Sequence, residues 1–298
     1  MKITTEKLKK SALKLNVIVE VEKVKDAYEK VLEEKVKTTT IEGFREGKAP
    51  KHMVEEKIGP SNLYGDVINF LLRTTYVQAV SEQRINPMSN PKIEIKEFDL
   101  EKEFSYSAEI ATQPEVKVNP FKKELQKKLD EKNKKLKADN EEKIKKGEEI
   151  KVDHAHLHVN DVLDVLIEKS EAEVADVLIE EEANRLVSQL LQQIKAIGLS
   201  LEDYLKAQQT TVEQLQENYK KSAENSLKAE FILAHLIKEQ NIEVTEAEID
   251  ETFAAAGVSG VEERSKDPME RAYVKSILQK NKLITNLIDE IQGDHKHE

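Results

Sequence analysis

An α+β fold is what this sequence predicts: an N-terminal antiparallel sheet with helices, followed by an elongated all-α C-terminal part with long helical arms. Three observations predict it. Stretches of alternating apolar and polar residues flank helical patterns within the first 111 residues. Beyond residue 160 the apolar spacing is that of helices almost without a break. Helix-start signals recur in that half where the apolar runs begin.

Taken in order, residues 13–21 (LKLNVIVEV) alternate like a half-buried strand, with Ile3 to Leu8 placed to pair beside it. Val24, Ala27, Tyr28, Val31, Leu32 and Val36 then share one face at spacings of three and four, which predicts a helix over 24–37, ended by Thr38, Thr39 and Thr40. Residues 41–50 (IEGFREGKAP) form a loop punctuated by two glycines, and Pro50 is placed to open a short helix that Gly59 and Pro60 stop. From Ser61, read as its cap, to Arg84, a long amphipathic helix carries Leu63, Val67, Phe70, Leu71, Val77 and Val80 across the sheet. Residues 91–98 and 102–111 alternate on either side of Asp99-Leu100-Glu101 and read as a hairpin.

Residues 121–148 are lysine-rich, with sparse apolar residues at Leu125, Leu129 and Leu136, and are expected to be a solvated spacer, as an exposed helix or arm. Residues 150–160 (IKVDHAHLHVN) alternate as an edge strand or an extended linker. Then Ser170 to Glu173, Thr210 to Glu213 and Thr245 to Glu248 each fit a capping box, Asp267 before Pro268 and Glu270 marks a further start, and Gly198 and Gly257 supply stops. A helix from 211 to 239 would run about 45 Å at 1.5 Å per residue, the length of an arm or cradle wall. These elements divide the chain into domains at 1–113, 114–160 and 161–298.

Composition narrows the function classes. Of the 298 residues none is cysteine, which excludes disulfides, thiolate catalysis and cysteine-ligated zinc. The opening MKITTEKLKK is polar and no stretch approaches the ~20 apolar residues of a membrane span, so the expectation is a cytoplasmic protein without membrane contact. Net charge is −11, with residues 1–120 balanced, 121–148 at +4 and the deficit in the remainder; the C-terminal half should repel nucleic acid, and no DNA partner is expected. No phosphate-cradling glycine loop and no nucleophile motif occurs, so no cofactor, no catalytic residue and no enzyme activity is expected. The charge runs at 180–182 and 262–264 read as solvated helix faces. His154, His156 and His158 alternate, so a strand would place three imidazoles on one side, where zinc or nickel could find ligands. With no cysteine and no evident second shell, an exposed edge strand explains that pattern as well, and no metal site is expected; His295 and His297 belong to a polar tail.

The loop Gly43-Phe44-Arg45-Glu46-Gly47-Lys48-Ala49-Pro50 resembles the GFRxGKxP signature of bacterial trigger factor. SEAEVADVLIEEEANRLVSQL, IGLSLEDYL and LKAEFILAHLIKEQNIEVTEAEID are similar to that family's helical substrate-binding region. The resemblance implies that Gly43, Phe44, Arg45, Glu46, Gly47 and Lys48 form the contact to the ribosome, with an exit-tunnel protein and nearby rRNA as partners. It also implies nascent or unfolded polypeptides as clients, held without ATP, and a homodimer as a form open to the free protein. The FKBP-type prolyl isomerase domain that typical members insert has no room between Val118 and Asp161. One departure stands out: the family's usual Phe-Arg-Lys is Phe-Arg-Glu here, and Glu46 weakens the expected pull toward rRNA. The alternative is a cytoplasmic holdase or assembly protein without ribosome docking.

Overall fold

The computed structural model describes residues 1–146, 154–256 and 261–293. In chain order the elements are β1 (Lys2–Lys7), β2 (Ala12–Val19), α1 (Val21–Thr38), α2 (Lys51–Ile58), α3 (Pro60–Glu82), β3 (Lys92–Glu97), β4 (Phe104–Ala111), β5 (Val116–Val118), α4 (Lys122–Lys145), α5 (Val159–Lys169) and β6 (Ser170–Ala172). There follow α6 (Asp176–Ala196), α7 (Leu201–Gln208), α8 (Val212–Glu239), α9 (Glu246–Ala256), α10 (Val261–Arg264) and α11 (Pro268–Gln292). The chain thus has the α+β class that its sequence predicts. Among the described residues no helix is long and apolar enough to cross a membrane. Two compact units form, Met1–Pro114 with Val174–Lys220, and Glu115–Glu173 with Lys221–Glu298.

In the first unit, period-two side chains decide the sheet. It is antiparallel in the order β1-β2-β4-β3. Leu15, Val17 and Val19 pair across with Ala108, Tyr106 and Phe104, and all six are buried on one face. Removing the leucine, valine and phenylalanine side chains among them from water stabilises by about 1.5–3 kcal/mol each. α1 covers that face with Val24, Ala27, Val31 and Leu32, and α3 with Leu63, Val67, Leu71, Thr75 and Ala79. Thr75 is the polar member of the stripe; its hydroxyl donates to the Leu71 carbonyl at 2.6 Å and accepts from the Tyr106 hydroxyl at 2.9 Å. Two expectations for α3 fail. Val77 points to solvent at 66% exposure, because the buried stripe steps by four from Leu63 to Ala79. Ser61 is not the cap: Gly59 at φ +83° precedes Pro60, whose fixed φ suits the first helical position and whose missing N–H leaves nothing unpaired there.

The same unit takes in α6 and α7. Ala175 and Val177 pack with Ala12 and Ala111, while Lys10 pairs with Asp176 and Lys92 with Glu180. Further along, Leu190, Ile194 and Leu215 form a small cluster with Leu201, Tyr204 and Tyr219. Gly198 at φ +76° follows the end of α6, as its sequence position predicts.

The second unit has an aliphatic helical core in which Leu125, Val162, Leu166, Ile232, Leu283 and Leu287 are almost wholly buried. The lysine-rich segment is therefore more than a solvated spacer: it is helical, and Phe121, Leu125 and Leu129, four residues apart, anchor its first turns in that core. Ser170 does not start a helix. Its segment pairs as β6 with β5, Val118 opposite Ser170 and Val116 opposite Ala172, and α6 begins only at Asp176. The box read at Thr210 lies one residue later, with Thr211 Oγ1 accepting from the Gln214 N–H at 3.3 Å and Gln214 Oε1 accepting from the Thr211 N–H at 3.2 Å. Thr245 with Glu248 and Asp267 before Pro268 cap α9 and α11 as expected. The stop read at Gly257 lies outside the described residues.

Candidate functional site

The connection from α1 to α2 is two β-turns placed end to end. The Phe44 N–H donates to the Ile41 carbonyl at 3.1 Å, and the Lys48 N–H to the Arg45 carbonyl at 3.0 Å. The third residue of each turn is glycine, Gly43 at φ +84° and Gly47 at φ +75°. A left-handed third residue is the type II requirement, which glycine meets without a Cβ penalty. At Gly47 space is not what excludes a side chain, since a Cβ would lie 3.7 Å from the nearest atom, the Lys37 carbonyl oxygen. The backbone angle excludes it.

Both ends of this double turn are tied down. Ile41 and Ala49 are buried with Val54, and Val36, Met53 and Ile58 pack against them. Lys57 donates to the Thr40 carbonyl. Polar straps join α2 to α1: Lys51 pairs with Glu29 at 2.8 Å and Glu33 at 3.1 Å, and the Tyr28 hydroxyl donates to Glu55. Hydrogen bonds to Glu29 and Glu33 raise the Lys51 ammonium above its ordinary range, while burial and then the Glu55 contact push the Tyr28 phenol up. Both groups stay protonated, so the straps persist through neutral pH.

Phe44 ends the first turn and Arg45 begins the second, so the pair sits at the junction, farthest from the tied ends. Phe44 is 40% exposed, Arg45, Glu46 and Lys48 are exposed, and Gly47 is half-buried against the end of α1. The structure thus brings all six loop residues read from the sequence, Gly43 to Lys48, into one knob. Glu46 is the second residue of the second turn, and among the described residues it forms no ion pair with Arg45 or Lys48. An aromatic ring beside a guanidinium can fill an apolar pocket while pairing with a carboxylate or phosphate. Among the described residues no acid–base or nucleophilic pairing accompanies them. What the reading of the loop missed are its anchors, Ile41 and Ala49; their signal was present, as the apolar residues bracketing an otherwise polar stretch.

The chain is similar to known proteins along most of its length. Residues 1–151 match the family model of the bacterial trigger factor protein, and residues 132–293 match that of its C-terminus. Trigger factor of Clostridium kluyveri is 35% identical over 122 residues, which are 41% of this chain and 28% of that protein. A trigger factor of Clostridium botulinum matches to the same extent. The matched stretch therefore spans little more than a quarter of those relatives' length. A solved structure, from work on promiscuous substrate recognition in the folding and assembly activities of the trigger factor chaperone, aligns over 98% of this chain and 100% of that one. Its TM-score is 0.63 at 14% identity, a shared fold. With family models matching from residue 1 to residue 293, this chain belongs to the trigger factor family.

Proposed function

We propose that this chain is a cytoplasmic, ATP-independent chaperone that docks at the ribosome exit region through Phe44 and Arg45 and shields nascent or unfolded polypeptide. The observation that carries the reading is the double turn: a ring and a guanidinium exposed at the junction of two glycine-set turns whose ends are buried. Residues 1–113 serve docking, residues 161–298 serve the client, and 114–160 stand where an isomerase domain would be inserted. Phe44 supplies the apolar anchor, Arg45 and Lys48 the contacts to carboxylate or phosphate, and Glu46 lowers the attraction to rRNA.

Sheltering requires apolar surface that stays in water. Ile197 is 71% exposed, Leu199 45% and Val212 42%, while on α11 Met269 is 81% exposed and Tyr273 65%. At ~25 cal/mol per Å² of apolar area such residues hold an unfolded segment weakly, and ordering the client offsets much of the gain. Release then needs no nucleotide, and no bond is made or broken. The same surfaces let the free protein pair with a second copy.

Co-sedimentation with vacant bacterial ribosomes at moderate salt tests the docking. The wild type should pellet with ribosomes and a Phe44→Ala, Arg45→Ala double variant should stay in the supernatant. Equal pelleting, or none by either protein, would overturn docking through this loop and leave a free holdase or assembly protein.

A further inference from the structure

We propose that His154 and His156 chelate a borderline divalent cation, such as nickel, copper or zinc, on the surface of the second unit. The sequence weighed against a metal here, with no cysteine, no evident second shell and an exposed edge strand as an equal explanation; what a sequence does not show is whether such a segment is held. The structure supplies the hold. Residues 154–158 run without helix before α5, and burial alternates along them: His154, His156 and His158 are exposed, Ala155 is half-buried, and Leu157 is 4% exposed within the core of the unit. The Ala155 N–H donates to Asn133 Oδ1 of α4 at 2.9 Å. The His158 N–H donates to Asp161 Oδ2 at 2.8 Å, and Asp161 is itself gripped by Lys132. Inward residues and main-chain donors therefore fix the segment at several points, which leaves the imidazoles exposed to water.

Residues two apart have Cα atoms within about 7 Å of each other, even where the chain bends as it does at His154. Two imidazoles at that spacing can lean together so that one nitrogen of each reaches an ion at about 2.0–2.1 Å. Because their backbone is already ordered, little entropy opposes binding beyond the ring rotations. His154 and His156 are the better pair of the three. His158 precedes the first turn of α5, where the positive end of the helix opposes a second cation. Two ammonium groups of α4, Lys128 and Lys132, are offset by their pairing with Asp161 and Asp164. Among the described residues no three ligating side chains converge, so water completes the coordination. Imidazole ligands select copper, nickel and zinc over magnesium and calcium.

The test uses the full chain carrying His295→Ala and His297→Ala, which removes the His-x-His of the tail, titrated with nickel chloride by calorimetry. One ion per chain should bind. Adding His154→Ala and His156→Ala should weaken binding roughly tenfold or more with unchanged circular dichroism, while adding His158→Ala should change it by less than about threefold. Undiminished binding after loss of His154 and His156, or loss of all binding with the tail substitutions alone, would overturn the site.

Discussion

The two units close their cores with different chemistry. In the first, Phe104 and Tyr106 of β4 join Phe98 and, from α3, Tyr64 in a line of rings: Phe98 and Phe104 lie 5.7 Å apart, Phe104 and Tyr106 5.7 Å, and Tyr64 and Phe98 5.5 Å. The buried Tyr106 hydroxyl finds a partner in Thr75, while that of Tyr76 is buried without one among the described residues. In the second unit the buried set is mostly leucine, isoleucine and valine, with Phe121 and Phe253 as aromatic members of separate clusters. The difference teaches where each unit keeps its specificity. A strand sets its side chains at a fixed repeat of two, so the rings and hydroxyl that β4 presents can be matched by particular side chains of the helix covering it, Thr75 among them. Helix stripes accept aliphatic side chains more interchangeably, and what makes the second unit particular sits at its edges, in the Asp161 cluster and the helix caps.

The largest effect should follow from attacking the ring stack. Phe104→Ala should lower stability by about 3–5 kcal/mol, and Leu283→Ala in the other unit by about 2–5 kcal/mol. The sharper form of the comparison uses Phe104→Leu against Leu283→Met: the first still breaks the ring contacts, whereas the second conserves volume and should cost less than about 1.5 kcal/mol. Urea midpoints measure both. If Phe104→Leu proves as mild as Leu283→Met, the ring stack has no special role.

A smaller effect is expected at Asp161, where the second unit keeps its polar matching. Burial alone would raise this carboxyl, but hydrogen bonds from Lys132 and from the His158 N–H, with the charges of Lys132 and Lys128, outweigh burial and hold it below its ordinary range. A carboxylate depressed in the folded state contributes stability that is fully present above its unfolded pKa, about 3.9, and lost as pH falls through its lower folded value. Asp161→Asn should therefore lower the urea midpoint at neutral pH, and the gap from wild type should close below about pH 4. A gap that persists unchanged at about pH 3 would mean that the carboxylate's charge is not what holds α4 to α5.

Much of the fold was legible because it repeats locally. Leu15, Val17 and Val19 announce a strand by themselves, and Gly43 with Gly47 announces a bent loop. What the letters also held, and what is plain only with the hydrogen bonds in view, is that Glu-Gly occurs twice four residues apart, so the loop is one turn repeated. Exposure was harder to read. Val77 fits a helical apolar face, yet the stripe that wins steps by four past it, because α3 follows the surface offered by β2 and β4. Phe121, Leu125 and Leu129 looked sparse among eleven lysines across 121–148, but a spacing of four needs only three residues to seat two turns. The strand at Ser170 was out of reach of any local pattern, since its partner Val118 lies more than fifty residues away.

That last case gives the smallest prediction and a clean contrast, because Ser170 and Thr245 carry the same capping signature. At Thr245 the box is formed: the Thr245 N–H donates to Glu248 Oε2 at 2.7 Å and the Glu248 N–H to Thr245 Oγ1 at 3.3 Å. At Ser170 the main chain is spent on β5, and the hydroxyl is buried without a hydrogen-bond partner among the described residues. Thr245→Ala should thus cost about 1 kcal/mol, the usual worth of a cap. Ser170→Ala removes a group whose burial is uncompensated and should be neutral or slightly stabilising. Urea unfolding of the two variants side by side measures the difference, and an equal loss in both would mean that Ser170 caps α6 in solution despite the strand.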